Sequence, residues 1–216
     1  MRVLLVGDSI MRGTAGGAAG GMRPALDDGV RADGIAVEWV GPYTTQNPPG
    51  YEACLHGAIS GRTAAELAVL VVDGGGNPGL ASMVASHRPT HVGVQVGIND
   101  KLGGATDAEI LDSLDLAATR ACNVDPSLVV LIGGPGDSSG ANMTGVRSGL
   151  PARCKAHRDA GRSVFHWLGF GWMTAGLVAA NCHDGLHPNA TGDGLNRKEW
   201  QRVFRSLVGP PVRAAL

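Results

Sequence analysis

Four short polar segments of this sequence carry side chains that could together perform acyl-transfer chemistry. They are Gly7-Asp8-Ser9, Ser60-Gly61-Arg62-Thr63, Gly97-Ile98-Asn99-Asp100 and Asp184-Gly185-Leu186-His187-Pro188. The first three each come after an apolar run of the kind that forms a buried strand, and the fourth comes before the last helical segment. If the strands are parallel and lie in one sheet, all four segments could lie at its carboxyl edge.

The candidate reaction centre consists of Ser9, His187 and Asp184. A serine hydroxyl is a weak nucleophile and needs a neighbouring base to take its proton. A neutral imidazole is suited to that task near neutral pH, which makes His187 the candidate base. Asp184, three residues earlier in the same loop, can hold the imidazole in the tautomer that the base requires.

Three donors could stabilise the negative oxygen that forms when Ser9 attacks a carbonyl group. They are the backbone N–H groups of Ser9 and Gly61 and the side-chain amide of Asn99. Fixed donors of this kind form an oxyanion hole, and the loss of one typically lowers the rate roughly 100- to 1000-fold. Ser9 as a simple helix N-cap, and Asn99 as a turn residue, are the alternative interpretations. Asp8 is expected to be structural and hydrogen-bonded to nearby backbone, and Asp100 is expected to be a cap or a supporting residue.

A metal site is an alternative use of the same histidine segment. His183, Asp184 and His187 could together ligate zinc. We nevertheless predict no metal and no cofactor, because no further histidine or carboxylate cluster stands nearby in the sequence and the triad accounts for Asp184 and His187. Cys54, Cys122, Cys154 and Cys182 lack metal-ligand spacing. They are expected to be free thiols in a cytoplasmic protein, and three pairings are possible in a secreted one.

Short apolar runs alternate along the chain with segments of helical periodicity. Strands are predicted at Arg2–Val6, Ile35–Val40, His91–Val96, Leu128–Ile132 and Ser163–Leu168. Helices are predicted at Met22–Arg31, Thr63–Val72, Leu80–His87, Asp107–Cys122, Val146–Ala160 and Gly192–Val208, and Pro151 could break the fifth of them. Thr63 and Glu66 form a capping-box pattern. This alternation predicts a parallel sheet with helices on both faces, in one domain over residues 1–216.

The composition of the chain argues against a nucleic-acid-binding protein and a membrane-spanning protein. The 216 residues are 44% hydrophobic, which allows a sizeable core, and the formal net charge of -1 does not favour a nucleic-acid partner. No run of about 18 apolar residues is present, so we expect no membrane partner. The amino terminus carries no signal-peptide pattern, which favours a cytoplasmic protein, although a mature secreted form would look the same.

The four segments, taken in order, resemble the sequence blocks of the SGNH (GDSL-like) hydrolases. Gly7-Asp8-Ser9-Ile10 is similar to the first block and Ile59-Ser60-Gly61-Arg62-Thr63 to the second, whose glycine donates to the oxyanion. Gly97-Ile98-Asn99-Asp100 is similar to the third block, and residues 184–189 are similar to the last. The resemblance implies a flavodoxin-like three-layer α/β/α fold with five parallel strands in the order 2-1-3-4-5. It also implies ester hydrolysis through an acyl-enzyme.

The resemblance leaves several substrates and reactions open. The segment from Val37 to Thr63 looks most like that of small bacterial acetylesterases such as acetylxylan esterases. An acetyl or other short acyl ester, such as an acylated sugar or glycoside, is therefore the expected small-molecule partner. An acyltransferase would use the same triad and the same acyl-enzyme, and a thioesterase or lysophospholipase-like hydrolase is a further alternative. A non-catalytic binding module is disfavoured because Ser9, His187 and Asn99 are all present.

Overall fold

The fold contains one parallel sheet with helices on both of its faces. A computed structural model describes residues 1–13, 20–72, 74–171 and 173–208. The strands are β1 (Arg2–Gly7), β2 (Glu38–Trp39), β3 (His91–Gln95), β4 (Val129–Gly133) and β5 (Val164–Trp167). The helices are α1 (Ser9–Arg12), α2 (Arg23–Ala32), α3 (Ala64–Leu67), α4 (Leu80–His87), α5 (Ile98–Leu102), α6 (Asp107–Val124), α7 (Thr144–Asp159), α8 (Ala175–Asn181) and α9 (Ala190–Val208).

The strands lie in the order β2-β1-β3-β4-β5, and every pairing is parallel. The predicted three-layer fold with the strand order 2-1-3-4-5 is therefore confirmed. The order reverses where β1 is flanked by β2 and β3, and ligands bind at such switch points in open α/β sheets. Ser9 lies two residues after β1, and Asn99 lies four residues after β3.

Two cores form because successive side chains of a strand point to opposite faces of the sheet. Leu4 and Val6 belong to the core beneath α4, α6 and α7, whereas Val3 and Leu5 belong to the core beneath α2 and α9. All four are essentially inaccessible to solvent. Burial on both faces explains why β1 is a continuous apolar run rather than an alternating one. The burial of β1 also places Ser9, two residues beyond the strand, at the carboxyl end of the sheet.

The second strand is much shorter than predicted. The sequence suggested Ile35–Val40, but β2 contains only Glu38 and Trp39, which pair with Arg2 and Val3. The N–H of Ile35 instead donates to the carbonyl oxygen of Val30 at 2.9 Å, and Gly34 before it has a φ of 73°. Such a bond satisfies an open carbonyl at the end of a helix. Ile35 therefore finishes α2 instead of starting the strand.

The helix predicted over Thr63–Val72 is also wrong in length, because α3 ends at Leu67. Its predicted capping box is present, with both the Thr63 and Glu66 side chains bonded to backbone N–H groups. Beyond α3 the chain turns back, and Val72 forms an isolated bridge with Pro78. Two of the last three residues of the predicted helix, Val71 and Val72, are β-branched, and such residues have low helix propensity.

Other boundaries differ from the predictions by smaller amounts. Pro151 does not interrupt α7, which continues from Thr144 to Asp159. Three short helices, α1, α5 and α8, were not predicted at all; they span only four to seven residues. A segment this short shows too little of the 3.6-residue period to be recognised. Among the described helices, none is long and apolar enough to cross a membrane.

Candidate active site

Ser9 is positioned by the tight junction between β1 and α1. Asp8 caps α1 by accepting a hydrogen bond from the N–H of Ile10 at 2.9 Å, so Ser9 becomes the first residue of the helix. A side chain at Gly7 would lie 2.5 Å from Cβ of Met11 and 2.6 Å from the carbonyl oxygen of Gln95. Only glycine allows this close packing of strand, helix and neighbouring strand. The serine is therefore held at the start of a helix that packs closely against two strands.

His187 and Asp184 lie on the loop between α8 and α9, and this loop meets Ser9. Nε2 of His187 is 2.8 Å from Oγ of Ser9, and Nδ1 is 2.7 Å from Oδ2 of Asp184. A carboxylate oxygen only accepts, so Nδ1 must carry the imidazole proton. Nε2 then presents a lone pair to the Ser9 hydroxyl, which is the arrangement that general-base activation of serine requires.

The carboxyl of Asp184 is held in its ionised form. Its partial burial opposes ionisation, but the His187 side chain and the N–H groups of His187 and Leu186 donate hydrogen bonds that hold its pKa well below the usual range. The two backbone bonds, 2.7 and 3.0 Å long, both end on Oδ1 and leave Oδ2 for the imidazole. An ionised Asp184 would stabilise the imidazolium that forms when His187 takes a proton.

The three predicted oxyanion donors come from segments that hydrogen bonds tie together. The N–H of Ile59 donates to the carbonyl oxygen of Gly7 at 3.0 Å, which fixes the loop carrying Gly61 against the end of β1. Nδ2 of Asn99 donates to the carbonyl oxygen of Arg62 at 3.1 Å and so links this loop to α5. The end of β1, the Gly61 turn and the start of α5 therefore form one connected frame.

Gly61 occupies a turn that needs glycine for conformation rather than for space. The N–H of Arg62 donates to the carbonyl oxygen of Ile59 at 3.2 Å, which closes a turn over residues 59–62. Gly61 has a φ of 79°, and a Cβ atom there would meet no atom within 4 Å. A positive φ at this position of a turn strongly favours glycine. The bond that closes the turn uses the N–H of Arg62 and not that of Gly61, the predicted donor.

Asp100 braces the frame from inside. Its carboxylate accepts hydrogen bonds from the N–H of Ala64 at 2.8 Å and from that of Ala65 at 3.4 Å, so α5 supports the start of α3. The sequence had suggested a cap or a supporting role for Asp100 and a structural role for Asp8. Asp8 is fully buried nearby, and this burial, together with the charge of Asp100, raises its pKa to about 7.

The raised pKa of Asp8 predicts a pH-dependent stability. Between about pH 4 and 7 the folded protein keeps a proton on Asp8 that the unfolded chain releases, so the free energy of unfolding falls as the pH rises through this range. Asp8→Asn cannot ionise and retains a good N-cap, so its Tm should decline less steeply over this window. Thermal unfolding followed by circular dichroism at several pH values measures the slope.

Asp193 provides a second test of the same effect and Asp159 a control. Burial raises the pKa of Asp193 to about 7 as well, so Asp193→Asn should also flatten the slope. The carboxylate of Asp159 is exposed on α7, and Asp159→Asn should leave the slope as it is. A slope in Asp8→Asn as steep as that of the unaltered protein would contradict the buried, protonated state of Asp8.

Arg23 and His56 support the site, and the sequence had assigned no role to Arg23. Arg23 is 2% exposed and donates to the carbonyl oxygens of Met11 and Arg12 at the end of α1. It also donates to Cys54 and to two residues of the 42–50 loop. The ring of buried His56 bonds the backbone at Thr45 and Ala58, and its burial lowers the pKa to about 4, so this histidine stays neutral.

The candidate metal ligands named from the sequence form one cluster, which the cysteines do not join. Within the described part of the chain, His183, Asp184 and His187 are the group of three whose ligand atoms could hold a metal ion, and these atoms lie within 4.8 Å of one another. Cys54, Cys122, Cys154 and Cys182 are all buried and free. The thiols therefore make no pair with one another and belong to no such cluster.

Comparisons with known proteins agree with this architecture. A family 3 carbohydrate esterase from Clostridium thermocellum is 19% identical, with a TM-score of 0.78 over 97% of this chain and 99% of that chain. A family 3 carbohydrate esterase from Talaromyces cellulolyticus is 20% identical, with a TM-score of 0.76 over 96% and 98% of the chains. A mutant of an acetyl esterase, solved with acetate ion, gives the same identity, TM-score and coverage. These likenesses show a common fold.

No protein-family model and no curated protein matches the sequence.

Proposed function

We propose that this chain is a serine esterase of the SGNH hydrolase family that works through an acyl-enzyme on Ser9. The observation that carries the proposal is the continuous contact from Ser9 Oγ to His187 Nε2 at 2.8 Å and from His187 Nδ1 to Asp184 Oδ2 at 2.7 Å. Ser9 and His187 are 178 positions apart in the chain. If Ser9 merely capped a helix, no contact with this distant histidine would be needed.

The proposed reaction follows from this geometry. Ser9 Oγ attacks the ester carbonyl while His187 Nε2 takes the hydroxyl proton, and the imidazolium then gives that proton to the leaving alcohol. The N–H groups of Ser9 and Gly61 and the amide of Asn99 hold the oxyanion of each tetrahedral intermediate. Water, activated by the same imidazole, attacks the acyl-enzyme, releases the acid and restores Ser9.

Short acyl esters, acetyl esters first among them, are the proposed substrates. Two of the structural neighbours named above are carbohydrate esterases and the third is an acetyl esterase. This supports an acetylated sugar as the substrate, with the sugar as the alcohol part of the ester. Rates on nitrophenyl esters from acetyl to long-chain acyl groups, followed by acetylated sugars, measure this preference directly. A maximum at long acyl chains would overturn the acetyl assignment and leave the triad assignment intact.

Covalent labelling tests the nucleophile itself. A fluorophosphonate should inactivate the protein and add its mass to the proteolytic peptide that contains Ser9, because only a serine activated by a base reacts readily. Ser9→Ala should prevent the labelling. Ser148→Ala removes an exposed serine of α7, whose hydroxyl merely donates to the carbonyl oxygen of Gly145, and should be labelled as fully as the unaltered protein. Labelling at another serine with activity retained would contradict the mechanism.

A further inference from the structure

His183 and His187 direct ring nitrogens at the same carboxylate oxygen. Nδ1 of His183 lies 4.0 Å from Oδ2 of Asp184, and Nδ1 of His187 lies 2.7 Å from it. The two imidazole rings are stacked, with centroids 5.9 Å apart and 16° between their planes. All three side chains are partly open to solvent, with exposed fractions of 29%, 42% and 19% for residues 183, 184 and 187.

We propose that His183, Asp184 and His187 form an inhibitory binding site for Zn²⁺. Two imidazoles and one carboxylate, with a fourth position left to water, are an established zinc ligand set. Tetrahedral zinc with bonds of about 2.0–2.1 Å places its ligand atoms about 3.3 Å apart. The separations of 4.0 and 2.7 Å from Oδ2 of Asp184 must therefore each change by less than about 1 Å. The ligand nitrogens of the two histidines lie within 4.8 Å of each other, so their separation must change by about 1.5 Å at most.

Zinc at this position would stop His187 from acting as a base, because it would change which ring nitrogen carries the proton. This consequence rests on the proposed esterase mechanism. Catalysis needs the imidazole proton on Nδ1 of His187, so that Nε2 can accept from Ser9. A metal can bind Nδ1 only after the proton has left this nitrogen, and that single proton of the neutral ring moves through solvent to Nε2. Nε2 then carries N–H and can no longer accept the hydroxyl proton. No proton is gained or lost overall, and the bond between His187 and Asp184 is replaced by two metal bonds.

The ligand chemistry also sets the selectivity. Imidazole nitrogens suit Zn²⁺ and its neighbours among the first-row transition metals. Mg²⁺ and Ca²⁺ bind six or more oxygen ligands, and the cluster of His183, Asp184 and His187 supplies one carboxylate. Zn²⁺, and Co²⁺ as its spectroscopic substitute, should therefore bind, whereas Mg²⁺ and Ca²⁺ at the same concentration should have no effect.

Binding can be measured without catalysis in the Ser9→Ala protein, which retains the whole cluster. Titration calorimetry with Zn²⁺, and absorption spectra with Co²⁺ for tetrahedral coordination, should both show one site. His183→Ala introduced into this protein should weaken Zn²⁺ binding by more than about 10-fold, since even the loss of a group that supports a ligand costs that much. His166→Ala, which removes an exposed histidine of β5, is the matched control and should bind as before.

Inhibition is measured separately, in the active protein with a soluble acetyl ester. Zn²⁺ should abolish hydrolysis and EDTA should restore it, and EDTA alone should leave the rate unchanged. His183→Ala should retain most of the metal-free activity and need more than about 10-fold more Zn²⁺ for half inhibition, whereas His166→Ala should respond like the unaltered protein. His183→Gln, which keeps a polar side chain of similar size, should behave like His183→Ala and so guards against a misfolded variant.

Three results would overturn the site: no Zn²⁺ binding to Ser9→Ala, equal binding after loss of His183, or activity that EDTA removes and Zn²⁺ restores. An inactive protein that still binds Zn²⁺ through His183 would instead overturn the proposed esterase function and leave the metal site standing.

Discussion

Ser9→Ala and His187→Ala are each expected to lower kcat for a soluble acetyl ester by about 10⁶-fold, or about 8 kcal/mol of transition-state stabilisation. Each substitution removes one end of the 2.8 Å contact between Oγ and Nε2, and neither nucleophile nor base works without the other. The double variant should therefore be no slower than either single variant. Steady-state kinetics on the three purified proteins, corrected for spontaneous hydrolysis, measure this.

His183→Ala is the control for the loss of an imidazole from the same loop. Its ring stacks on that of His187, and it is Nε2 of His187 that lies 2.8 Å from Oγ of Ser9, so the activity of His183→Ala should fall far less than that of His187→Ala. Asp184→Asn should be harmful but milder than His187→Ala, because the backbone N–H groups that bind Oδ1 still hold the loop and the imidazole can find another acceptor. Losses in Ser9→Ala and His187→Ala that multiply in the double variant would contradict a single acting unit.

The meeting of Ser9 with the loop of Asp184 and His187 was predicted from the residue types together with the family resemblance. Ser9 follows an apolar run, which places it at the carboxyl edge of a parallel sheet. The loop of Asp184 and His187 lies between α8 and α9 rather than after a strand, so its place at that edge rested on the similarity of residues 184–189 to the last sequence block. The frame behind them was predicted only in part. Asp8 and Asp100 are adjacent to predicted site residues, and their structural roles follow from that adjacency. Their shared burial, which raises the pKa of Asp8, depends on helices packed from distant parts of the chain.

The burial of Arg23 could not be predicted from the sequence at all. An arginine at the start of a helix is ordinarily solvated, and no local pattern around it predicts burial. Its acceptors come from α1, from the 42–50 loop and from Cys54, which surround it only after the chain has folded. The short β2 also depends on a contact that propensity does not show, because the N–H of Ile35 bonds to Val30 at the end of α2. The early end of α3 agrees with the low helix propensity of Val71 and Val72, and the chain beyond it forms the Val72–Pro78 bridge instead.

Asn99→Ala is expected to lower kcat roughly 100- to 1000-fold, about 2.7–4 kcal/mol, with a smaller change in KM. The side-chain amide has two N–H groups, and one of them donates to the carbonyl oxygen of Arg62 at 3.1 Å. That bond fixes the amide plane, so the second N–H is the one we assign to the oxyanion. Because a preorganised donor meets the tetrahedral oxygen better than the planar carbonyl oxygen, its removal raises mainly the energy of the transition state.

Asn99→Ala also removes the hydrogen bond to Arg62 and so lowers stability independently of any effect on the oxyanion. Kinetics and thermal unfolding distinguish the loss of stability from the loss of the oxyanion donor. Loss of one hydrogen bond to the backbone costs about 1 kcal/mol of stability, which lowers Tm by a few degrees and leaves the protein folded at assay temperature. Asn123→Ala, which removes an exposed asparagine of α6, is the control and should leave kcat and Tm unchanged. If Asn99→Ala raised KM and left kcat intact, Asn99 would bind substrate in the ground state, and the oxyanion would have to be held by the backbone donors of Ser9 and Gly61 alone.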